Sequence, residues 1–475
     1  MNDPVAHMPA TVICGGPSVP WSKAGALRYW AALACCAWGA LPLGAQMRPV
    51  AIQDATLLVG DGQTIEHGTV LFADGKITAA ANDAQPSVLA RKLAAQGKYV
   101  TPGLIDAGSS VGLRFLFGAS SGTARAVDAF DRFAEDELRA AWRDGVTAVY
   151  LPARTSGGVG GVGAVVRLLL RGEPEEVVLR KEVALCAGLG LDDRPGPLAR
   201  VRIETDLRRR FQLAKEYREA WEDYADSVKE YEEKLAERAK KPGAGSRPTT
   251  DPSQALDAKN AEAAKGGRNE ELKKPPEPAK DRSAEMLLRV LDGELRLWVE
   301  ANDPAEIAAV LDLAEEFNIA VVIEGATGAY LLAERLAAAQ VPVVLSERPA
   351  PLGYVGGVDR YARPDDAAIL HKAGVAIYFG SGRLEAPTAA PELALRAARA
   401  VGCGLDPDTA LTALTAGAAK LLGVDKMVGR LKSGLRADLV VWSDHPFAPG
   451  AVVERVFIAG REVYRAEGRE TEGGE

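Results

Sequence analysis

Carboxylates close three apolar runs in this sequence: Asp106 in "GLIDAG", Glu300 in "LRLWVEA" and Glu324 in "IAVVIEGA". Two such groups facing one pocket can divide general acid and general base work, and Glu300 with Asp106 is the candidate catalytic pair. Hydroxyls stand nearby in the text, with Ser109 and Ser110 after the first run and Ser381 after a later one. None sits in a nucleophile-elbow pattern. A Ser or Cys nucleophile also needs an activating base. The chain has only four histidines, at 7, 67, 371 and 445, and none is placed to serve those hydroxyls or Cys186. The glycine-rich "SGGVGGVGAVVRL" (156–168) lacks the Lys-Ser or Lys-Thr ending of a phosphate loop and reads as an ordinary connection. Arg348 and Arg383 follow apolar runs and would suit an anionic ligand at a pocket mouth.

The elements that must position these groups alternate strand-like and helical text, as βα units do. Candidate strands are 103–108, 146–152, 163–170, 183–188, 295–301, 319–326, 341–346 and 375–381, all dominated by apolar residues. Eight such runs predict an α/β protein built as a (β/α)8 TIM barrel over about 102–412, whose strands are buried on both faces. Periodicity alone leaves a doubly wound sheet open. Both ends of the chain read instead as hairpins, with Asp61-Gly62, Asp74-Gly75 and Ala459-Gly460 at the turns. Segments 46–101 and 413–468 are therefore expected to form a small composite β-sandwich domain.

Residues 203–285 interrupt the rhythm. The first part, 203–240, is a charged helix with Phe211, Leu213, Tyr217, Trp221, Tyr224 and Val228 near helical spacing, and about 241–280 is a Pro-, Gly-, Ala-, Lys- and Glu-rich stretch expected to be mobile. The helix reads as a solvated helix with an insertion or as an arm for a protein partner. With 47% hydrophobic and 26% charged residues and a net charge of -8, the 475-residue chain is globular in type and has no basic footprint for nucleic acid. A homo-oligomer is left open.

Lys23 and Arg28 precede the apolar run "YWAALACCAWGALPLGA" (29–45), which predicts a signal segment over 1–45 and export to a periplasmic or extracellular space. A membrane anchor is the alternative, since the run is near the lower length limit for spanning. Of five cysteines, Cys14, Cys35 and Cys36 lie in that segment, so Cys186 and Cys403 are expected to remain as buried free thiols.

"KYVTPGLID" (98–106) and "ALTALTAGAAKLLGVDKMVGRLKSGLRADLVVWSDHPF" (410–447) resemble the amidohydrolase superfamily, in its imidazolonepropionase-like branch. The resemblance also takes in "GVTAVYLP" and "AEEFNIAVVIEG". It implies a hydrolase of C–N bonds other than peptide bonds that uses zinc or another divalent metal to activate water. It also implies metal-ligand positions, and these are substituted: Gly108 and Ser110 stand at the histidine pair, Glu300 and Gly325 at the later histidines, and Gly382 at the aspartate. Cys186 falls near a lysine position. By strand alternation Glu324 is expected to point away from this site and Glu300 into it, with Asp106 lining the barrel below.

With this donor set no metal and no cofactor is predicted. The expected function is a non-catalytic binding or scaffold homologue, a pseudoenzyme holding an unidentified small molecule in the barrel mouth near Asn302, Ser381 and Arg383. The alternative is an active amidohydrolase with an unusual or metal-free site.

Overall fold

The computed structural model describes residues 48–113, 122–155, 158–189, 197–240, 272–346, 361–382 and 389–467. The proposed signal segment, Arg348, Arg383 and the stretch 241–271 lie outside them.

Short apolar alternation and turn pairs build the N-terminal strands β1 (Val50–Leu58), β2 (Thr64–Ala73), β3 (Lys76–Ala81), β4 (Arg91–Ala94) and β5 (Tyr99–Pro102). Asp74 and Gly75 both have positive φ, 48° and 75°. That is the backbone a two-residue hairpin turn with right-handed strand twist requires, and it joins β2 to β3.

Ten strands follow: β6 (Leu104–Asp106), β7 (Val146–Leu151), β8 (Gly158–Val162), β9 (Ala164–Arg167), β10 (Val178–Arg180), β11 (Ala184–Gly188), β12 (Arg296–Ala301), β13 (Val321–Gly325), β14 (Val343–Ser346) and β15 (Ile377–Gly380). β6 and β7 pair in parallel, and β11 to β15 form a parallel run in sequence order. Every residue of β7, β11 and β13 is buried, the signature of strands covered on both faces. Helices between them pack their apolar sides onto the sheets. Pro304–Phe317 starts at a capping box in which Asp303 and Glu306 satisfy each other's backbone N–H groups.

The run 163–170 departs from expectation. Its strand, β9, is antiparallel to β7, and β8 before it is antiparallel to β11. The reason is local: the connection 152–157 between β7 and β8 is too short for the helical crossover that a parallel strand needs. Backbone bonds also link the two sheets, Ala107 N–H to Phe379 O at 3.1 Å and Gly163 N–H to Ala184 O at 3.0 Å.

The C-terminal strands β16 (Leu439–Trp442), β17 (Val453–Ile458) and β18 (Arg461–Arg465) return to the N-terminal ones, β16 pairing antiparallel with β5. All eight end strands lie in one sheet, ordered β18-β17-β16-β5-β1-β2-β3 with β4 on β1. A second facing sheet, which a sandwich requires, is not found among the described residues. Strand alternation explains how the single sheet is covered. Val440 and Trp442 join the core around the parallel strands, while Leu439 and Val441 join Ile52, Leu57 and Phe72 on the other face.

The charged helix runs over Pro197–Lys240. Leu207, Phe211 and Ala214 are buried along its inner side, and the Phe211 ring lies 5.1 Å from that of Phe317. Arg208 pairs with Glu316 and Arg218 with Asp292 at 2.6 Å each, so its first half is docked onto neighbouring helices. Residues 272–280 carry no regular secondary structure. Among the described residues no helix is long and apolar enough to cross a membrane.

Candidate functional site

The C-terminal ends of β6, β7, β12 and β13 converge on one side chain, Arg154. It stands three residues beyond β7 in "LPART" and is buried. One guanidinium nitrogen is hydrogen-bonded to Glu324 Oε1, another donates to the Ser109 carbonyl at 3.2 Å, and Nε lies 3.8 Å from Glu300 Oε2. Trp298 Nε1 donates to the other Glu324 oxygen at 2.7 Å. The Tyr150 and Trp298 rings, 4.3 Å apart between centroids, underlie this cluster, and the Tyr150 hydroxyl sits 3.5 Å from Cys186 Sγ.

This arrangement overturns the orientation expected for Glu324. In the β12–β13 register Glu300 is paired with Glu324 and Ala301 with Gly325. Paired residues of adjacent parallel strands share a face, so if Glu300 points in, Glu324 does too. A Cβ added to Gly108 would stand 2.6 Å from Glu324 Oε1. The Glu324 carboxyl therefore occupies the space that a side chain at 108 would enter. Gly325 belongs to the other face, where an added Cβ would run into the Asn302 amide.

Asp106 is fully buried and engaged with β15 instead. Its Oδ1 accepts from Gly108 N–H at 3.1 Å and Ser381 N–H at 2.9 Å, and its Oδ2 accepts from the Ser381 hydroxyl. Ser109 Oγ and Ser381 Oγ lie 3.0 Å apart. The described contacts thus give Asp106 and Glu300 separate partners. Gly382 donates its backbone N–H to Gly108 O at 2.7 Å, which brings together through their main chain two positions that the resemblance would give to metal ligands. Asn302 is buried and accepts from the Thr327 hydroxyl at 3.1 Å.

Electrostatics follow from burial and this pairing. Burial works against the Arg154 charge, but Glu324 and then Glu300 outweigh it and hold the guanidinium protonated more firmly than usual. Burial pushes the Glu324 carboxyl up, with Arg154 opposing the shift and Glu300 adding to it. Burial likewise lifts the Cys186 thiol to about 11, so it is neither a nucleophile nor a metal-binding thiolate at neutral pH. Cys186 and Cys403 are both free, but Cys403 is only partly buried, against expectation. His67 pairs with Asp54 at 2.8 Å on the surface of the end sheet, and His371 lies in the helix Asp366–Lys372 that leads into the start of β15. Ser381 and Asp106 come together, whereas His371, His67 and His445 stay on elements outside this cluster.

Arg154 was the residue missed by sequence reasoning. Its signal was available: a lone cation three residues after a fully buried strand, at the strand end where working residues gather.

Comparison with known proteins bears on the fold and on the C-terminal part of the chain. A model of the amidohydrolase family matches residues 363–463. The chain is 37% identical over 71 residues to the amidohydrolase tasK of Hapsidospora irregularis, a match taking in 15% of this chain and only 7% of that relative's length. A solved amidohydrolase from Thermotoga maritima MSB8 superposes with a TM-score of 0.67 at 24% identity, covering 88% of this chain and 100% of that one. The chain thus shares the fold of that amidohydrolase, and its C-terminal part, 363–463, is similar to the amidohydrolase family. The family resemblance implies a divalent metal, which the described residues would have to fit. They do not. Gly108 and Gly382 offer no side-chain donor, and the two inward carboxylates flank a guanidinium. Among the described residues no three His, Cys, Asp or Glu side chains form a metal-holding group.

The close approach at Gly108 yields a direct expectation. Gly108→Ala forces the Glu324 carboxyl aside while Arg154 and Trp298 hold it, and should cost about 1–2 kcal/mol in a denaturant titration. In the Glu324→Ala background the same substitution should cost much less, as coupled neighbours do.

Proposed function

We propose that this protein is a non-catalytic homologue of the amidohydrolases that uses the fold as a binding or scaffold module. The observation that carries the reading is the occupation of the strand ends by Arg154, Glu324 and Glu300, against a glycine at 108. Hydrolysis of an amide-type C–N bond needs an activated water and stabilisation of the oxyanion. Here the carboxylates that could activate water are neutralised by the same guanidinium that could stabilise an oxyanion. Asp106, the other candidate base, accepts three hydrogen bonds from Gly108 and Ser381.

The reading also includes closure of the strands into a barrel. It is supported by the bonds from Ala107 to Phe379 and from Gly163 to Ala184 across the two sheet edges. Export is part of it as well, resting on Lys23, Arg28 and the apolar run that follows them. The imidazolonepropionase-like branch rests on the motifs at 98–106 and 410–447.

The test is a panel of amides, lactams, ureas and amidines assayed with zinc, manganese or cobalt supplied and with chelator. No turnover above the buffer rate is expected under any condition. Turnover that depends on Glu300 or Asp106 would replace this reading with that of an active hydrolase.

A further inference from the structure

The misfit between the donor set and a divalent metal has a positive counterpart at Arg154. It contacts the backbone of the segment after β6 through Ser109, itself follows β7, and faces carboxylates from β12 and β13. One cation therefore ties four strand ends together and balances two inward carboxylates, one of them 1% exposed. A buried carboxylate persists only when paired or neutralised. Gly108 is part of the same design, because its missing side chain leaves room for Glu324 to meet the guanidinium. Trp298 fixes the other Glu324 oxygen and so sets the direction of the carboxyl.

We infer that the Arg154 guanidinium is the resident cation of this site, supplied by the chain itself, so that the strand ends are held and the inward carboxylates neutralised without a metal ion. The inference rests on the same site as the proposed function, yet it makes a separate claim: the site contains a position for a guanidinium-shaped cation.

Chemical rescue tests it on the full chain. In Arg154→Ala the melting temperature should fall by about 5–10 °C. Millimolar methylguanidinium chloride should then raise it by about 3 °C or more through binding to the vacated position. Sodium chloride at equal concentration should not, and the wild-type protein should gain nothing from either. Failure of methylguanidinium to rescue a folded Arg154→Ala protein would overturn the inference while leaving the non-catalytic reading intact. Stabilisation of the wild type by zinc, reversed by chelator, would overturn both.

Should Arg154→Ala not fold, the pair Arg154→Met and Arg154→Met/Glu324→Leu decides. The double variant, having lost both charges, should express as folded protein and melt above the single variant. A double variant no more stable than the single one would show that Arg154 does not serve to balance Glu324.

Discussion

Arg154→Met is expected to lower the stability of the protein by about 3–5 kcal/mol at pH 7, the usual consequence of removing one partner from a buried ion pair. The loss arises less from the missing contacts than from what remains. Glu324 is 1% exposed, and without the guanidinium its charge has only the Trp298 N–H to meet it. Its carboxyl already has a raised pKa, through burial first and then Glu300. In the variant it can escape the cost by taking up a proton. The deficit relative to wild type should therefore shrink as the pH is lowered from neutrality, which chemical denaturation at several pH values will show. A loss below about 0.5 kcal/mol at pH 7, the range of an ordinary surface change, would mean that the pair is not buried as described.

A second large effect concerns Asp144, at the end of the helix Glu135–Arg143, whose Oδ2 accepts the Leu393 N–H at 2.6 Å. Burial pushes its carboxyl up to about 7; the Leu393 bond opposes the shift, Asp106 and Glu392 add to it, and Arg396 opposes it. The unfolded chain has the group near its ordinary value of about 3.9. Between these limits the folded protein binds the extra proton, so this group's contribution to stability is greatest below about pH 4. It is lost as the pH rises towards 7 and is constant above. The full shift corresponds to about 4 kcal/mol, and the side chain's residual solvent contact reduces the expectation to about 2–3 kcal/mol. Asp144→Asn keeps the acceptor for Leu393 and cannot ionise. Its stability relative to wild type should rise from pH 5 to about pH 7 and then level off. A constant difference across that range would show that Asp144 titrates normally.

The order of strands and helices could be read from apolar runs because strands buried on both faces leave an unmistakable text, as in "VTAVYL" and "VVIEG". The reversal at β9 could not, since an apolar run looks the same whichever way the strand points, and β8 lies in the glycine-rich stretch that reads as a connection. The ligand positions read as substituted at Gly108, Ser110 and Gly382 rest on the resemblance of the flanking motifs. At β13 the expected facing of Glu324 was reversed. A strand's side chains alternate, so a slip of one exchanges inside for outside. Pairing "LWVEA" with "VVIEG" so that their glutamates coincide would have placed both carboxylates on one face, as the register does. Arg154 was hidden for another reason: its role depends on carboxylates 146 and 170 residues further along the sequence, brought together only by the sheet.

The most direct test of the central claim, that a guanidinium and not a metal ion occupies the charge centre of this amidohydrolase fold, is elemental analysis. The purified wild-type protein would be dialysed against excess zinc and then against buffer without it. The account predicts bound metal well below one equivalent, unchanged in Glu300→Ala. One or two equivalents of zinc that disappear in Glu300→Ala would contradict it.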